Sequence, residues 1–412
     1  MSKNIPGITL FAGEYSSRNV GDGIIKLAIE SLCHDHGVVA EYRDFFGNPL
    51  KDGGETAPKR DTTPGRLKQA LLRSGPFKRA IATLFYLTRY KKIASRYEVR
   101  KYRRVVIGGG NLLMDNFWNF PLLILRVVKE CEAASIPVSL FAVGAGRHFS
   151  PQGKRIVGRI LRSTAVTHVV CRDQHSYELV SDAAGPRHAH KVALGFDCGL
   201  YLLGSAGHEG RPEKIGLGVI APEVLRTFIP EHPMADEQQA LTWWQDLVDA
   251  LVSQVGIENI EILSNGSPPD NRYAEELVAA LRADHPGLAP CYKASSPQAL
   301  LERVGDYRAL VAYRMHAAVS AMAMGVPVVG VEWDPKLKAL FRYCGKPKDC
   351  VTVDAFTAHR PADIAGALLG ATPADLSAIR AQLSRDFVAA IGSPMPDARS
   401  TARLARPQEQ AG

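Results

Sequence analysis

Residues 308–345 read RALVAYRMHAAVSAMAMGVPVVGVEWDPKLKALFRYCG and predict a strand, turn and helix followed by a second strand, turn and helix. The apolar run 309–312 is typical of a buried parallel strand, and the small residues after it form a helix that ends at Gly325. In open α/β sheets, ligands bind beyond the carboxyl ends of strands, where helix amino termini favour anions. Arg314 and His316, two residues apart on a segment that we expect to be extended, should therefore project together into such a crevice.

The same strand-then-turn pattern recurs through both halves of the chain. Strands are predicted at 8–11, 38–42, 104–107, 137–143, 166–171 and, after a linker rich in Gly, Ser and charge, at 214–220 and 260–264. Because strands alternate with helices in both halves, the sequence predicts an α/β protein of two facing, doubly wound, Rossmann-like domains. We place the first domain at 1–205, the second at 206–392 and a disordered tail at 393–412. The cleft between the domains is the expected binding site.

The composition is typical of a globular protein. A chain of 412 residues is long for a single core, and 46% hydrophobic and 22% charged residues are ordinary proportions. No apolar run reaches the roughly 18 to 20 residues of a membrane span, and residues 8–14 do not follow the pattern of a signal peptide. Seven Cys without a Cys-x-x-Cys pair are typical of reduced thiols. We therefore predict a cytoplasmic protein, and we expect no obligatory metal or cofactor because no His, Cys and Asp cluster has metal-ligand spacing.

The net charge of +8 is concentrated in a basic insert at about 50–104. Between 57 and 104, fifteen Lys and Arg face two acidic residues, and the apolar run 80–87 interrupts them. A basic helix with an apolar face is typical of a segment that lies on an anionic membrane, so one hypothesis is peripheral contact with the inner face of the cell membrane. The alternative is that the insert is a basic segment that only contacts solvent. Nucleic acid is not an expected partner, since no nucleic-acid-binding motif accompanies the charges.

Further candidate ligand groups follow the strands of the first half. Asn19 and Asp22 lie in a polar, Gly-rich turn after the first strand, where Asp22 either caps the next helix or presents a carboxylate to a ligand. Gly108, Gly109 and Gly110 follow the strand at 104–107. Glycines at that place let the backbone approach a ligand and direct its N–H groups at ligand oxygens.

Two more candidates carry positive charge. Arg172 follows the strand at 166–171, and Ser176 lies in the helix that begins there. The arginine either pairs with the adjacent Asp173 or faces the crevice as an anchor for an anion. Lys336 follows the strand that begins at Val328, and it is either a surface lysine or a contact to a phosphate.

Motifs in this order resemble the polysaccharide pyruvyltransferase family over about 8–345. They are Asn19-Val20-Gly21-Asp22, Val106-Ile107-Gly108-Gly109-Gly110, Gly144-Ala145-Gly146, Cys171-Arg172-Asp173-Gln174-His175-Ser176, Phe196-Asp197, and Arg314-Met315-His316 with Gly325-Val326-Pro327 and Lys336. The resemblance implies a fold similar to two-domain glycosyltransferases, which is a GT-B-like arrangement of the two Rossmann-like domains. It also implies transfer of the pyruvyl (enolpyruvyl) group of phosphoenolpyruvate to a hydroxyl pair of a free or lipid-linked saccharide, forming a ketal during cell-surface or exopolysaccharide synthesis. The basic insert departs from the shorter family form, so its role does not follow from the resemblance.

The residues can be matched to that chemistry. Phosphoenolpyruvate carries a phosphate and a carboxylate, so its site needs at least two strong cations, and the forked guanidinium groups of Arg172 and Arg314 suit it. The resemblance points to the same two arginines and to His316. Imidazole changes protonation near neutral pH, so His316 is the expected general acid that protonates C3 of the donor. Asp22 would orient or deprotonate the attacking sugar hydroxyl.

Two other functions remain open from the sequence. A GT-B nucleotide-sugar glycosyltransferase would have the same fold. Such enzymes often place two glutamates eight residues apart in the second domain, whereas here Glu332 is followed eight residues later by Leu340, which counts against this alternative. A non-catalytic carbohydrate- or membrane-binding protein is the second alternative, and it predicts binding that survives the loss of Arg314 and His316.

Overall fold

The computed structural model describes residues 7–15, 20–50, 88–114, 119–204, 213–353 and 360–392. Asn19, the apolar run 80–87 and the tail 393–412 lie outside these ranges, so the expectations about them stay predictions. Across the described ranges, none of the helices combines the length and the apolar character that crossing a bilayer requires.

The first sheet is parallel throughout. Its strands are β1 (Thr9–Gly13), β2 (Ala40–Asp44), β3 (Arg104–Leu113), β4 (Val138–Ala145), β5 (Val166–Cys171) and β6 (Val192–Leu194), in the order β2-β1-β3-β4-β5-β6. The accompanying helices are α1 (Val20–Asp35), α2 (Arg89–Ser95), α3 (Asn119–Ala134), α4 (Pro151–Arg162) and α5 (Gln174–Ala184). The strand order reverses between β1 and β3, which makes their carboxyl ends a switch point of the kind that binds ligands.

The second sheet is also parallel, and its order is that of a dinucleotide-binding fold. Its strands are β7 (Ile215–Gly218), β8 (Ile260–Ser264), β9 (Tyr292–Lys293), β10 (Ala309–Ala312), β11 (Val328–Glu332) and β12 (Cys350–Thr352), in the order β12-β11-β10-β7-β8-β9. Its helices are α6 (Pro222–Phe228), α7 (Glu237–Val255), α8 (Pro268–Leu281), α9 (Pro297–Gly305), α10 (Met315–Ala323), α11 (Pro335–Tyr343) and α12 (Pro361–Gly370). The predicted α/β fold with two Rossmann-like halves is confirmed.

The last described helix, α13 (Ser377–Ile391), crosses back to the first sheet. The ring of its fully buried Phe387 lies 5.9 Å from that of Phe11 and 5.7 Å from that of Phe141. The sequence placed this helix in the second domain because it follows the second set of strands. The structure instead packs it on the first lobe, where it covers aromatic side chains of β1 and β4.

Strand β3 continues through the glycines that were predicted to end it. A Cβ on Gly108 would lie 2.4 Å from the carbonyl oxygen of Phe141, and one on Gly109 would lie 1.9 Å from Cγ2 of Ile25. Gly109 also has a φ of +76°, in the left-handed region that favours glycine. These two glycines therefore allow close packing of β3 against β4 and α1, and the strand bends at a register shift after Gly110.

The two lobes share one apolar core. It includes Ile24 and Ile29 of α1 together with Leu300 of α9 and Val319 of α10. Contact is close enough that a Cβ on Gly23 would lie 2.2 Å from Cγ of Pro297. This packing holds the amino terminus of α1 next to the second lobe.

Candidate active site

A cavity of about 300 Å³ lies where the carboxyl ends of the two sheets meet. Its volume falls at the lower end of the roughly 300 to 1,000 Å³ typical of small-molecule sites. The first lobe lines it with Glu14, Asp22, Gly110, Asn111, Met114 and Arg172, and the second with Asn265, Arg314, Met315, His316, Trp333, Asp334, Lys336 and Leu337. Both switch points thus open into the same space, as the GT-B-like prediction requires.

The structure brings most of the predicted site residues together in this cavity, namely Asp22, Gly110, Arg172, Arg314, His316 and Lys336. Gly108 and Gly109 lie inside β3 and do not line it. Ser176 is also apart from the cavity, because its buried hydroxyl accepts a hydrogen bond from the backbone N–H of Ala145 at 2.8 Å. These three residues thus lie outside the lining of this cavity, and the ligand contacts expected of them stay predictions.

Arg172 is almost completely buried, with 2% of its surface exposed. Its Nη1 donates to Oδ2 of Asp197 at 3.1 Å, and its Nη2 donates to Oδ1 of Asn111 at 2.9 Å. Asp173, the partner that the sequence suggested, is farther away at 3.7 Å and caps α5 instead. Burial alone would lower the pKa of Arg172, but the carboxylates of Asp197 and Asp173 outweigh it and raise that pKa. The guanidinium is therefore a fixed positive charge at the cavity wall.

Arg314 is oriented by a carboxylate that the sequence gave no reason to expect. Its Nε and Nη2 each donate to one oxygen of Asp270 at 2.8 Å, and Asp270 is fully buried. The backbone N–H of Ala221 donates to the same carboxylate at 2.9 Å. The guanidinium carbon also lies 5.9 Å from the ring centroid of Trp333. This forked pairing fixes the plane of a side chain that keeps 23% of its surface exposed.

His316 is helical, which differs from the extended segment predicted for it. Arg314 is the residue before α10 and retains an extended backbone, and His316 lies in the first turn of that helix. Both side chains still line the cavity, because a helix that starts at a strand end directs its first turn toward that end. The imidazole packs against α1, where a Cβ on Gly21 would lie 2.6 Å from Nδ1 of His316. Its Nε2 is buried and has no hydrogen-bond partner among the described residues.

Lys336 reaches across the cleft from the first turn of α11. Its Nζ donates to Oδ1 of Asn111 at 3.0 Å, and this oxygen also accepts from Arg172. Burial lowers the pKa of Lys336, and the positive charge of Arg172 lowers it further. One amide oxygen of the first lobe therefore holds a cation from each lobe.

The backbone adds to this positive character. Helices α1, α10 and α11 all begin at the cavity, and helix amino termini carry partial positive charge and unpaired N–H groups. Glu14 and Asp22 supply the acidic groups on the first lobe, with Asp22 in the first turn of α1. Such a cavity can hold a multiply charged anion beside a ligand whose hydroxyls face a carboxylate.

Several cavity residues were missed by the sequence analysis. Asn265 and Trp333 directly follow predicted strands, so the strand-end rule alone could have found them. Asn111 follows the three glycines of β3. Asp270 carried no signal, because it lies 44 residues from the arginine that it orients. Within the ranges that the structure describes, no three His, Cys, Asp or Glu side chains lie together as a metal site would need.

Two facing Rossmann-like sheets with a cation-lined cavity between them define a GT-B-like protein. Residues 19–335 match the model of the polysaccharide pyruvyl transferase family. The chain therefore belongs to that family, as the motifs suggested, and it is a transferase whose family implies a saccharide acceptor. No curated protein matches the chain significantly.

The chain is also similar to solved structures at low sequence identity. Anabaena HepE in complex with UDP and glucose is 13% identical, with a TM-score of 0.43 over 97% of this chain and 99% of that one. The UDP-GlcNAc 2-epimerase of Methanocaldococcus jannaschii is 9% identical, with a TM-score of 0.48 over 87% and 91% of the two chains. Trehalose-6-phosphate from E. coli bound with UDP-2-fluoro glucose is 9% identical, with a TM-score of 0.49 over 93% and 95% of the two chains.

Proposed function

We propose that the protein transfers the pyruvyl group of phosphoenolpyruvate to two hydroxyls of one sugar residue in a polysaccharide precursor. The products are a cyclic pyruvate ketal and inorganic phosphate. The observation that carries the proposal is that Arg172, Arg314 and Lys336 line one cavity into which His316 also projects. Phosphoenolpyruvate needs at least two strong cations and a proton donor, and these four residues would meet that need.

The charges support a donor with two anionic groups. Phosphoenolpyruvate has a phosphate and a carboxylate on adjacent positions of a three-carbon unit. Arg314, whose fork is held by Asp270, can bind one of these groups, while Lys336 and Arg172 can bind the other. The amino termini of three helices add N–H donors to the same space.

His316 would supply the proton that starts the reaction. Protonation of C3 of the donor creates positive character at C2, and a sugar hydroxyl adds there while losing its own proton. The C2–O bond to phosphate then breaks, phosphate leaves with the electron pair, and the second hydroxyl adds to C2. One of the two hydroxyl protons restores the imidazolium and the other leaves with phosphate, so protons balance. His316 lines the cavity together with the three cations, which supports its assignment as the group that acts on the donor.

Asp22 would act on the acceptor. It lies on the lobe opposite His316, in the first turn of α1, and lines the same cavity. A carboxylate there can accept the proton of an attacking hydroxyl or fix that hydroxyl by a hydrogen bond. The donor would thus be held mainly from the second lobe, while the reacting hydroxyl of the acceptor would lie at Asp22 of the first lobe.

We further propose that the protein works in the cytoplasm with peripheral contact to the inner face of the membrane. In the described part of the basic insert, residues 88–104, helix α2 exposes Lys91 and Lys92, and Arg96 directly after it is also exposed. Its apolar side does not support insertion into lipid, because Tyr90 and Ile93 are buried in the core of the first lobe. The described part of the insert would therefore meet a membrane through charge alone.

The experiment is an assay of the purified chain with phosphoenolpyruvate and saccharides from the source organism's surface polysaccharide, freed of pyruvate by mild acid. We expect acceptor-dependent phosphate release and a pyruvyl mass increment, and in D₂O one deuterium in the ketal methyl group. Activity should persist in EDTA, and His316→Gln should lower the rate on the order of 10²-fold or more. Release of UDP from UDP-sugars without phosphate release would favour the glycosyltransferase alternative and contradict the proposal.

A further inference from the structure

An exposed aromatic ring lies beside the mouth of the cavity. Phe228 is the last residue of α6, and 58% of its surface is accessible to solvent. Its ring centroid lies 6.4 Å from that of Trp333, which lines the cavity. Phe228 therefore presents apolar surface to solvent next to a residue that lines the cavity.

Trp333 connects this ring to the donor site. Its indole N–H donates to the carbonyl oxygen of Tyr313 at 2.6 Å, which fixes the plane of the ring. The guanidinium carbon of Arg314 lies 5.9 Å from the centroid of the same ring. Trp333 therefore contacts the proposed donor-binding arginine and Phe228 alike, and the two aromatic rings lead from the cavity to the surface.

Sugar rings are suited to such a surface. One face of a pyranose presents C–H groups that pack on an aromatic ring, while its hydroxyls point outward to water and polar side chains. Thr227 and Glu231, which are close to Phe228 in the sequence, are also exposed. A single exposed aromatic ring near exposed polar residues fits a saccharide better than it fits an apolar protein surface.

We propose that Phe228 and Trp333 form a subsite for a sugar residue next to the one that receives the pyruvyl group. The acceptor is then an oligosaccharide or a longer chain, because a single sugar in the cavity would not contact Phe228. This inference rests on the proposed function, because it assumes that the acceptor's reacting residue lies in the cavity between Asp22, which takes its hydroxyl, and Trp333.

The test compares acceptors of different length. The source organism's surface polysaccharide, freed of pyruvate, is partially hydrolysed and separated by size into monosaccharide, disaccharide and longer fractions. With phosphoenolpyruvate saturating, we expect kcat/KM to rise from the monosaccharide to the longer fractions. Phe228→Ala should remove that gain, on the order of tenfold, and leave the rate with monosaccharide unchanged. Phe228→Tyr should keep the gain in kcat/KM with acceptor length, because the aromatic face is retained.

Leu203→Ala is the matched control, since Leu203 is a comparably exposed apolar side chain at 70%. It should keep the full dependence on acceptor length. Equal length dependence in wild type and Phe228→Ala overturns the subsite, as does an absence of length dependence in wild type. A change of oligomeric state in Phe228→Ala by size-exclusion chromatography would assign the ring to a protein interface and also overturn it. No phosphate release with any fraction contradicts the proposed function itself and removes the basis of the subsite.

Discussion

Nζ of Lys336 and Oδ1 of Asn111 lie 3.0 Å apart, although the two residues are 225 positions apart in the chain and belong to opposite lobes. The same oxygen accepts a hydrogen bond from Arg172 at 2.9 Å. A neutral amide oxygen can hold two cations near each other without cancelling their charge. Asn111 therefore holds one cation of each lobe at the cavity.

The first prediction concerns Asn111 itself. In Asn111→Ala the two cations lose their shared acceptor, and we expect KM for phosphoenolpyruvate to rise roughly 10-fold or more, as for loss of a hydrogen bond to a charged group. Asn111→Asp keeps the acceptor but brings a negative charge into the donor site, so its donor KM should rise further. Steady-state kinetics with saturating acceptor measure the donor KM of both variants. A wild-type donor KM in both variants would contradict the role of Asn111.

The second prediction is a pH dependence of donor binding. Burial lowers the pKa of Lys336, so the free protein loses this charge at a lower pH than the roughly 10.4 of an ordinary lysine. Protonated lysine binds the donor and neutral lysine does not, so affinity should fall as pH rises through the lowered pKa. The donor's charge raises that pKa on binding, and proton uptake should therefore accompany binding in this range.

Isothermal titration calorimetry in buffers of different ionisation enthalpy measures this uptake. Lys336→Arg is the control, because arginine stays charged throughout the accessible range and should make binding nearly independent of pH there. The same decline of affinity in Lys336→Arg would assign the pH dependence to another group.

The third prediction tests the orientation of Arg314. Asp270→Asn keeps the size of the side chain but gives up the ionic fork that fixes the guanidinium plane. We expect kcat/KM for the donor to fall on the order of 10²-fold, as small misplacements of binding groups do. Glu223→Gln is the matched control, because its ion pair with Arg272 lies on the exposed surface of the same lobe. If Asp270→Asn and Glu223→Gln have equal kcat/KM for the donor, Asp270 does not position Arg314.

The strand-end rule explains how much of the site the sequence could predict. Arg172 and Arg314 follow strands whose apolar runs were clear, and parallel strands bring their carboxyl ends to one edge. His316 and Lys336 lie in the first turns of the helices that come next. Local pattern and the family resemblance were sufficient to place these residues at the same cavity.

What the sequence could not predict depends on partners that are distant in the chain. Whether Arg172 pairs with its neighbour Asp173 or with Asp197 depends on how β5 lies against the segment after β6. A run of glycines looks the same in the sequence whether it binds a ligand or packs against a helix. In β3 the packing is visible only from the position of Ile25. Helix α13 has an apolar face that fits either sheet. Each of these features depends on tertiary packing, which the local pattern of apolar residues does not predict.

The fourth prediction concerns the basic insert. If helix α2 contacts an anionic membrane, the purified chain should co-sediment with vesicles that contain phosphatidylserine, and less so with neutral vesicles or at high salt. Replacing Lys91, Lys92 and Arg96 with Gln should weaken this binding. The fold should be unaffected, since all three side chains are exposed. Unchanged co-sedimentation of the triple variant would remove helix α2 from any membrane contact.

The last prediction uses the contact between Gly21 and His316. A Cβ at position 21 would lie 2.6 Å from Nδ1 and 2.7 Å from Cβ of the histidine, closer than such atoms approach, so Gly21→Ala must displace the imidazole or the start of α1. The lobes remain joined by the apolar core, and we expect the variant to fold. Displacement of the proposed proton donor should lower kcat on the order of 10²-fold and change donor KM much less.

Gly366→Ala is the matched control for this substitution, because Gly366 lies inside helix α12 and nothing approaches a Cβ there within 4 Å. It should leave kcat unchanged and raise stability by about 0.5 to 1 kcal/mol, since alanine favours a helix more than glycine does. Circular dichroism melts separate folding from catalysis in both variants. If Gly21→Ala folds and retains wild-type kcat, the position of the imidazole does not limit turnover, and His316 loses its proposed role as the proton donor to C3.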